Sequence, residues 1–254
     1  MQTRVADLCT RDIVTTAPDT LVQEALVLMT QVGKSSLLVM LQGEAIGILT
    51  ERDCVLHAPK IVNFPNLCVA DIMSSPLLTI TEHAPAFAAF QSMQQQQIRH
   101  LAVLDDNYDI YGLLSLTDLL FKYAPACIPP TITVAELMAS PVLTVAPSAT
   151  VQHLLAEMAR RPVSCLVVTD NAHPLGMVSE RDVPRLLASH AHILQQPVAA
   201  IMSSPHPAIP PETTAREAIV LMQQRGVRRL VVASPDGGIA GLVTQSRLGR
   251  AIAQ

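Results

Sequence analysis

The sequence predicts an α/β protein (the α+β kind, with small sheets) assembled from four copies of one β-α-β-β-α unit, and three observations carry that prediction. The first is the stretch Gly47-Ile48-Leu49-Thr50-Glu51-Arg52-Asp53, which returns as Gly112-Leu113-Leu114-Ser115-Leu116-Thr117-Asp118, Gly176-Met177-Val178-Ser179-Glu180-Arg181-Asp182 and Gly241-Leu242-Val243-Thr244-Gln245-Ser246-Arg247. The hydroxyls are spaced by 65, 64 and 65 residues (115 − 50, 179 − 115, 244 − 179), a period that marks repeated architecture. The second is a lead-in that keeps step with it: Val5-Ala6-Asp7-Leu8-Cys9, Val69-Ala70-Asp71-Ile72-Met73, Val134-Ala135-Glu136-Leu137-Met138 and Val198-Ala199-Ala200-Ile201-Met202. The third is the pattern in between, where apolar residues come in short bursts separated by turn formers.

In the first copy Val5–Cys9 reads as a short helical lead-in, and Ile13-Val14-Thr15 is β-prone before a turn at Ala17-Pro18-Asp19. Thr20 is placed to cap a helix whose apolar positions Val22, Ala25, Leu26 and Met29 recur at helical spacing until Gly33 stops it. Leu37–Leu41 is short enough for a buried strand, Gln42-Gly43-Glu44 turns the chain, and Ala45–Leu49 returns as a second strand. Thr50 then opens the closing helix. The second copy follows with Leu77–Ile80, a helix around Phe87–Gln95, Leu101–Leu104, a turn at Asp105–Asn107 and Ile110–Leu114. The third has Val142–Val145, a helix at Thr150–Ala159, Cys165–Thr169, a turn at Asp170–Pro174 and Leu175–Val178. The fourth has a helix at Ala215–Gln224 and strands Leu230–Ala233 and Ile239–Val243 joined at Gly237-Gly238. Its first strand is interrupted, His206-Pro207-Ala208-Ile209 standing where the third copy has Val142-Leu143-Thr144-Val145.

A unit of about 60 residues with one small sheet is marginal alone, so the copies should pair. Connectors at Ala58–Leu67, Ala124–Pro130 and Gln195–Pro197 separate them, and the second, with its prolines, is the expected domain boundary. The expected domains are therefore 1–124, with copies near 5–57 and 69–123, and 125–254, with copies near 134–188 and 198–253.

Composition narrows the function. A formal net charge of −4 gives no electrostatic footprint for nucleic acid or an anionic membrane. Residues 1–124 carry 7 − 13 = −6 and residues 125–254 carry 10 − 8 = +2, which fits docking of the halves, a more anionic ligand in the second, or simple surface drift. No apolar run reaches membrane-spanning length, and Met1-Gln2-Thr3-Arg4-Val5 lacks a signal core, so a cytoplasmic protein is expected. The five cysteines, Cys9, Cys54, Cys68, Cys127 and Cys165, show neither metal-ligand spacing nor a disulfide framework.

All four copies resemble the CBS motif, the regulatory repeat that assembles in pairs as Bateman modules with pseudo-two-fold symmetry and small three-stranded sheets. The markers are the lead-in ending in Met, the Thr-Val-like first strand, and the glycine-strand-hydroxyl-x-x-acid ending, and they cover essentially the whole chain. The resemblance implies an adenosine-containing regulatory ligand, such as AMP, ADP, ATP or S-adenosylmethionine, held in clefts between paired copies. It implies no catalytic cofactor.

The hydroxyl-x-x-acid pattern supports two readings. As a capping box it satisfies the free amides of a helix start and needs no ligand. The same helix start offers amides and a positive dipole end to phosphate, while its carboxylate accepts ribose hydroxyls. With the resemblance, Thr50 with Asp53 and Ser179 with Asp182 become the leading nucleotide positions. In family members that bind AMP, basic residues before the strand that follows the long helix face the phosphate. Arg99 and His100 would thus serve Asp53, and Arg228 and Arg229 would serve Asp182; Ser35-Ser36 and Ser164-Cys165 stand there in the other copies. Ser115, Thr117 and Asp118 form a weaker site without a matching cation, and Arg52 and Arg181 are weaker phosphate candidates. Arg247 replaces the acid in the fourth copy and should leave that site empty or altered.

His190 and His192 lack surrounding ligands for a metal, and Gly237-Gly238 lacks the lysine-hydroxyl pair of a phosphate loop. No catalytic signature or spare domain is visible, so a non-catalytic sensor is expected, the alternative being a ligand-independent interaction or dimerisation scaffold. The sequence leaves open whether the output is an effector domain of a longer chain or a separate partner protein. It also leaves open whether the pairs associate within one chain or through a homodimer.

Overall fold

Why the same two landmarks recur in phase becomes clear from the way each copy is closed. A computed structural model describes residues 3–171, 173–189, 192–203, 208–234 and 237–253. In the first copy β1 (Thr15–Thr16) pairs in parallel with β2 (Ser36–Leu41), which pairs antiparallel with β3 (Glu44–Thr50). Parallel neighbours need a crossover, and the helix Val22–Val32 supplies it. Gln42 and Gly43, with φ of 51° and 91°, turn β2 directly into β3 as a two-residue hairpin requires. The second copy repeats the plan with β4 (Thr79–Thr81), helix Ala86–Gln95, β5 (His100–Leu104) and β6 (Ile110–Ser115). The third has β7 (Thr144–Val145), helix Val151–Arg160, β8 (Cys165–Asp170) and β9 (His173–Ser179). The fourth keeps helix Ala215–Gln224 and the hairpin β10 (Arg229–Ala233) to β11 (Ile239–Thr244). There the sheet has two strands, and the first strand is reduced to a parallel bridge between Ile209 and Val232. His206 and Pro207 lie outside the described residues.

Each lead-in packs on the neighbouring copy in sequence. Val5 N donates to Ala84 O and Val69 N to Thr20 O, both at 2.9 Å; Val134 N donates to Thr213 O and Val198 N to Ala149 O, both at 2.8 Å. Copies one and two therefore exchange arms, as do copies three and four. The arm ends in a bridge beside the landmark glycine, pairing Ser74 with Ile48, Thr10 with Leu113, Ser203 with Met177 and Ala139 with Leu242. A Cβ on Gly47 would stand 2.9 Å from both Met73 Sδ and Ser74 O, and one on Gly112 would stand 2.8 Å from Thr10 O and 2.9 Å from Cys9 Sγ. Met202 and Ser203 crowd Gly176, and Met138 crowds Gly241, in the same way. The glycine is the surface on which the neighbour's Met or Cys lies. It also faces the residue at which all four hairpins shift register, Val39, Val103, Val168 or Val232.

The chain folds into two compact units, Ile13–Leu77 with Leu143–Pro205, and Met1–Asp12 with Leu78–Val142 and His206–Gln254. The first unit joins copies one and three: Leu26, Met29, Leu37 and Leu49 share a core with Leu154, Met158, Leu166 and Val178. The second joins copies two and four, with Phe90, Met93, Leu101 and Leu114 packed among Ile219, Met222, Leu230 and Val243. Compactness thus groups alternate copies, and the units do not coincide with 1–124 and 125–254. Ala124–Pro130 is not where they divide, since both flanks belong to one unit and Ala124–Cys127 is helical. The tandem grouping of sequence neighbours persists in the arm exchange.

The start of the first long helix also departs from expectation. Its N-cap is Leu21 rather than Thr20, and no side chain caps it. The exchanged arm does so instead: the Val22 amide, an orphan donor of the first turn, bonds to Leu67 O at 2.8 Å. The connector at Ala58–Leu67 likewise contains a helix, Ala58–Asn63, anchored by buried Ala58 and Ile61.

Candidate functional site

Thr50 leaves β3 in an extended conformation and caps the helix Glu51–Leu56. Its N–H and Oγ1 donate to Asp53 Oδ2 at 2.7 and 2.6 Å, which locks the acid beside the strand end. Asp53 Oδ1 accepts Ser74 Oγ of the exchanged arm at 2.8 Å, and only 4% of Asp53 is exposed. In the third copy Ser179 N and Oγ donate to Asp182 Oδ2 at 2.8 and 2.7 Å. Asp182 is half-buried, and among the described residues its Oδ1 accepts no hydrogen bond, because Ser203, the counterpart of Ser74, donates to Met177 O. Thr50 caps its helix through the Asp53 amide, and at the third copy Asp182 Oδ1 accepts no bond among the described residues.

Copy two keeps the box, Ser115 N and Oγ donating to Asp118 Oδ2, but Lys122 Nζ sits 3.0 Å from Asp118 Oδ1. Lys122 also donates to Leu8 O of the arm at 2.6 Å. In copy four Arg247 Nη1 donates to Leu137 O and Met138 O at 3.2 and 3.1 Å, so the replacing side chain fills its own position. Burial, with Arg250 adding to it, lowers the Arg247 pKa.

The residues between hydroxyl and acid join copies within a unit. Arg52 Nη1 bonds to Glu180 Oε1 at 3.1 Å and to Met158 O and Val163 O at 3.0 and 3.3 Å. Arg52 is thus bonded to the third copy, and Arg181 is exposed. Thr117 donates to Gln245 Oε1 at 2.9 Å, a neutral link in the other unit. Burial, then the Asp53 and Glu51 carboxylates, push the Cys54 thiol far up and leave it neutral.

Strand register sets the second member of each basic pair across from a hydroxyl of its own copy, His100 opposite Ser115 and Arg229 opposite Thr244. Burial, then the charges of Arg99 and Arg228, push the His100 pKa down to about 3. That direction favours the neutral imidazole at His100. Its response to Arg228 also shows the basic positions of copies two and four acting on each other. Thr50, Asp53, Ser179 and Asp182 belong to one unit, and Arg99, His100, Arg228 and Arg229 to the other.

Sequence reasoning missed Ser74, Lys122 and Glu180. Lys122 left a signal, lying four residues after Asp118 on a helical stretch; Ser74 left none, since arm exchange is invisible in a linear pattern. Glu82, His83 and Asp106 form the one acid-histidine group of metal-ligating spacing among the described residues, and two of the three are exposed. His190 lies outside the described residues. No helix among these residues is long and apolar enough to cross a membrane.

A family model for the CBS domain matches residues 5–59, 69–124, 134–189 and 198–254. An uncharacterized protein of Methanopyrus kandleri is 32% identical over 118 residues, 46% of this chain and 60% of that protein's length. The CBS domain-containing protein YhcV of Bacillus subtilis is 33% identical over 115 residues, 45% of this chain and 81% of YhcV. The crystal structure of protein MJ1225 from Methanocaldococcus jannaschii superposes with a TM-score of 0.89 at 19% identity, covering 98% of this chain and 99% of that one.

Proposed function

Because the chain belongs to the CBS-domain family through all four of its repeats, we propose that it is a non-catalytic regulatory module that binds adenosyl ligands and passes on a change in conformation. Asp182 Oδ1, which accepts no hydrogen bond among the described residues while Oδ2 is held by two bonds from Ser179, carries the reading. An ionised carboxylate with one oxygen held and one available suits a ribose hydroxyl, and hydrogen bonds to charged groups contribute about 1.5–3 kcal/mol. Thr50 and Asp53 form the equivalent position, with Ser74 occupying the second oxygen. Arg99, His100, Arg228 and Arg229 are further residues that the family resemblance offers to a ligand phosphate. AMP, ADP, ATP and S-adenosylmethionine are the ligands proposed, and an effector domain or partner protein, or a second copy of the chain, would receive the signal. A ligand that favours one arrangement of the copies shifts the population toward it.

Thermal unfolding of the chain against these four compounds tests the reading, since a ligand specific to the native state raises its stability. One adenosyl compound should raise the melting temperature, and Asp182→Ala should weaken its binding by roughly tenfold or more, about 1.4 kcal/mol. No shift with any compound would favour the scaffold reading, in which the shared cores and exchanged arms are the function.

A further inference from the structure

Equivalent positions in the four copies hold unlike charges. In the unit of copies one and three, the residue four places after the acid is His57 or Leu186, and the arm is held by Ser74 or Ser203. In the unit of copies two and four, a cation holds the arm instead. Lys122 reaches Leu8 O and Arg247 reaches Leu137 O, which are the same position of the lead-in. Two different side chains, from different places in the helix, thus reach equivalent carbonyls of two lead-ins.

At copy two the consequence falls on the acid. Ser115 occupies Asp118 Oδ2 through its N–H and hydroxyl, and Lys122 occupies Oδ1, so a ribose would have to displace a charged donor there, whereas at Asp53 it displaces the neutral Ser74 hydroxyl. The half-exposed Lys122 Nζ bridges a carboxylate of its own copy and a carbonyl 114 residues away. The backbone is built for it. Leu119–Tyr123 forms a π-helical turn, closed by Ala124 N to Leu119 O, and among the described residues no other copy has one. Single π turns inside α-helices are frequent at functional sites.

We propose that Lys122 is a specificity-determining residue that closes the Asp118 position, so that the chain takes adenosyl ligands at Asp53 and Asp182 and at no third position. The inference rests on the adenosyl reading above. The arm-holding cation and the ribose acceptor exclude each other: copy four has replaced the acid with the cation, and copy two has neutralised the acid with it.

Isothermal titration of the full chain with AMP as the probe decides the matter. Wild type should bind two AMP molecules per chain. Lys122→Met, which keeps the aliphatic stem and removes the ammonium, should open a third site, and Asp118→Asn in that background should abolish it again. Lys122→Gln provides a second variant should the methionine form fail to fold, with circular dichroism as the check. A folded Lys122 variant that still binds two, or binds fewer because Lys122 contacts the phosphate, would overturn the closure. So would a wild type that binds three and loses one on Asp118→Asn. Absence of AMP binding in wild type and variants alike would instead overturn the adenosyl reading, and the closure with it; the two failures are told apart by whether wild type binds at all.

Discussion

Ser74 donates to Asp53 Oδ1, whereas Ser203 turns to Met177 O, and this one hydroxyl separates two boxes that look alike in sequence. A ribose arriving at Asp53 must displace a donor already in place, while at Asp182 no described residue donates to the second oxygen. Ser74→Ala should therefore strengthen binding at Asp53 by about 1 kcal/mol, roughly fivefold. Titration in an Asp182→Ala background isolates that site, and unchanged or weaker binding would contradict the displacement argument. His100 supplies a pH dependence. Its pKa is about 3 when folded against an ordinary value of 6.5, so the unfolded chain takes up a proton that the folded chain refuses. Native stability should fall as pH drops from ~6.5 toward ~3, by at most about 1.4 kcal/mol per pH unit from this group. Melting temperatures of wild type and His100→Gln at pH 7.5 and 5.5 test this: the variant should lose less on acidification, and an equal loss would remove His100 as the cause.

At the scale of elements, the arm and the glycine it covers act as one contact. Gly241 faces Met138 side-chain atoms, with Ala139 O at 3.0 Å, so a methyl group there collides mainly with a flexible side chain. Gly241→Ala should destabilise by about 1–3 kcal/mol, and Met138→Ala should recover part of that loss. At Gly176 the obstacle includes the Ser203 backbone carbonyl, and Met202→Ala should recover less. Denaturant unfolding of the two cycles checks the contrast, and equal rescue would refute it. Both landmarks were legible in the sequence, as were the long helices and hairpins, because apolar spacing and turn residues are local signals. Their meeting was not, because it joins Met73 to Gly47 and Cys9 to Gly112 across copies. The capping of Val22 by Leu67 O escaped for the same reason, leaving Thr20 as the apparent cap.

For the molecule as a whole, the two units are held by different chemistry. Arg52 and Glu180 link copies one and three by an ion pair whose acid is 3% exposed, while Thr117 and Gln245 link copies two and four by a neutral bond. Arg52→Ala removes the bonds to Glu180, Met158 O and Val163 O together, so it should cost about 3 kcal/mol, against about 1 kcal/mol for the single bond lost in Thr117→Val. Comparing their unfolding midpoints tests this, and equal losses would show that the pair carries no special weight. Sequence placed Arg52 among phosphate ligands because a cation beside a helix start fits that use; its partner lies 128 residues away and no local pattern announces it. Domain grouping was the least legible feature, since repetition shows how many copies exist but not which share a core.

The exchanged arms constrain how such a chain can be inherited. A gene that gained or lost a single repeat would encode one arm with no glycine face to lie on and one face with no arm to cover it. A chain with an odd number of copies would thus leave one arm and one glycine face without a counterpart in the same chain.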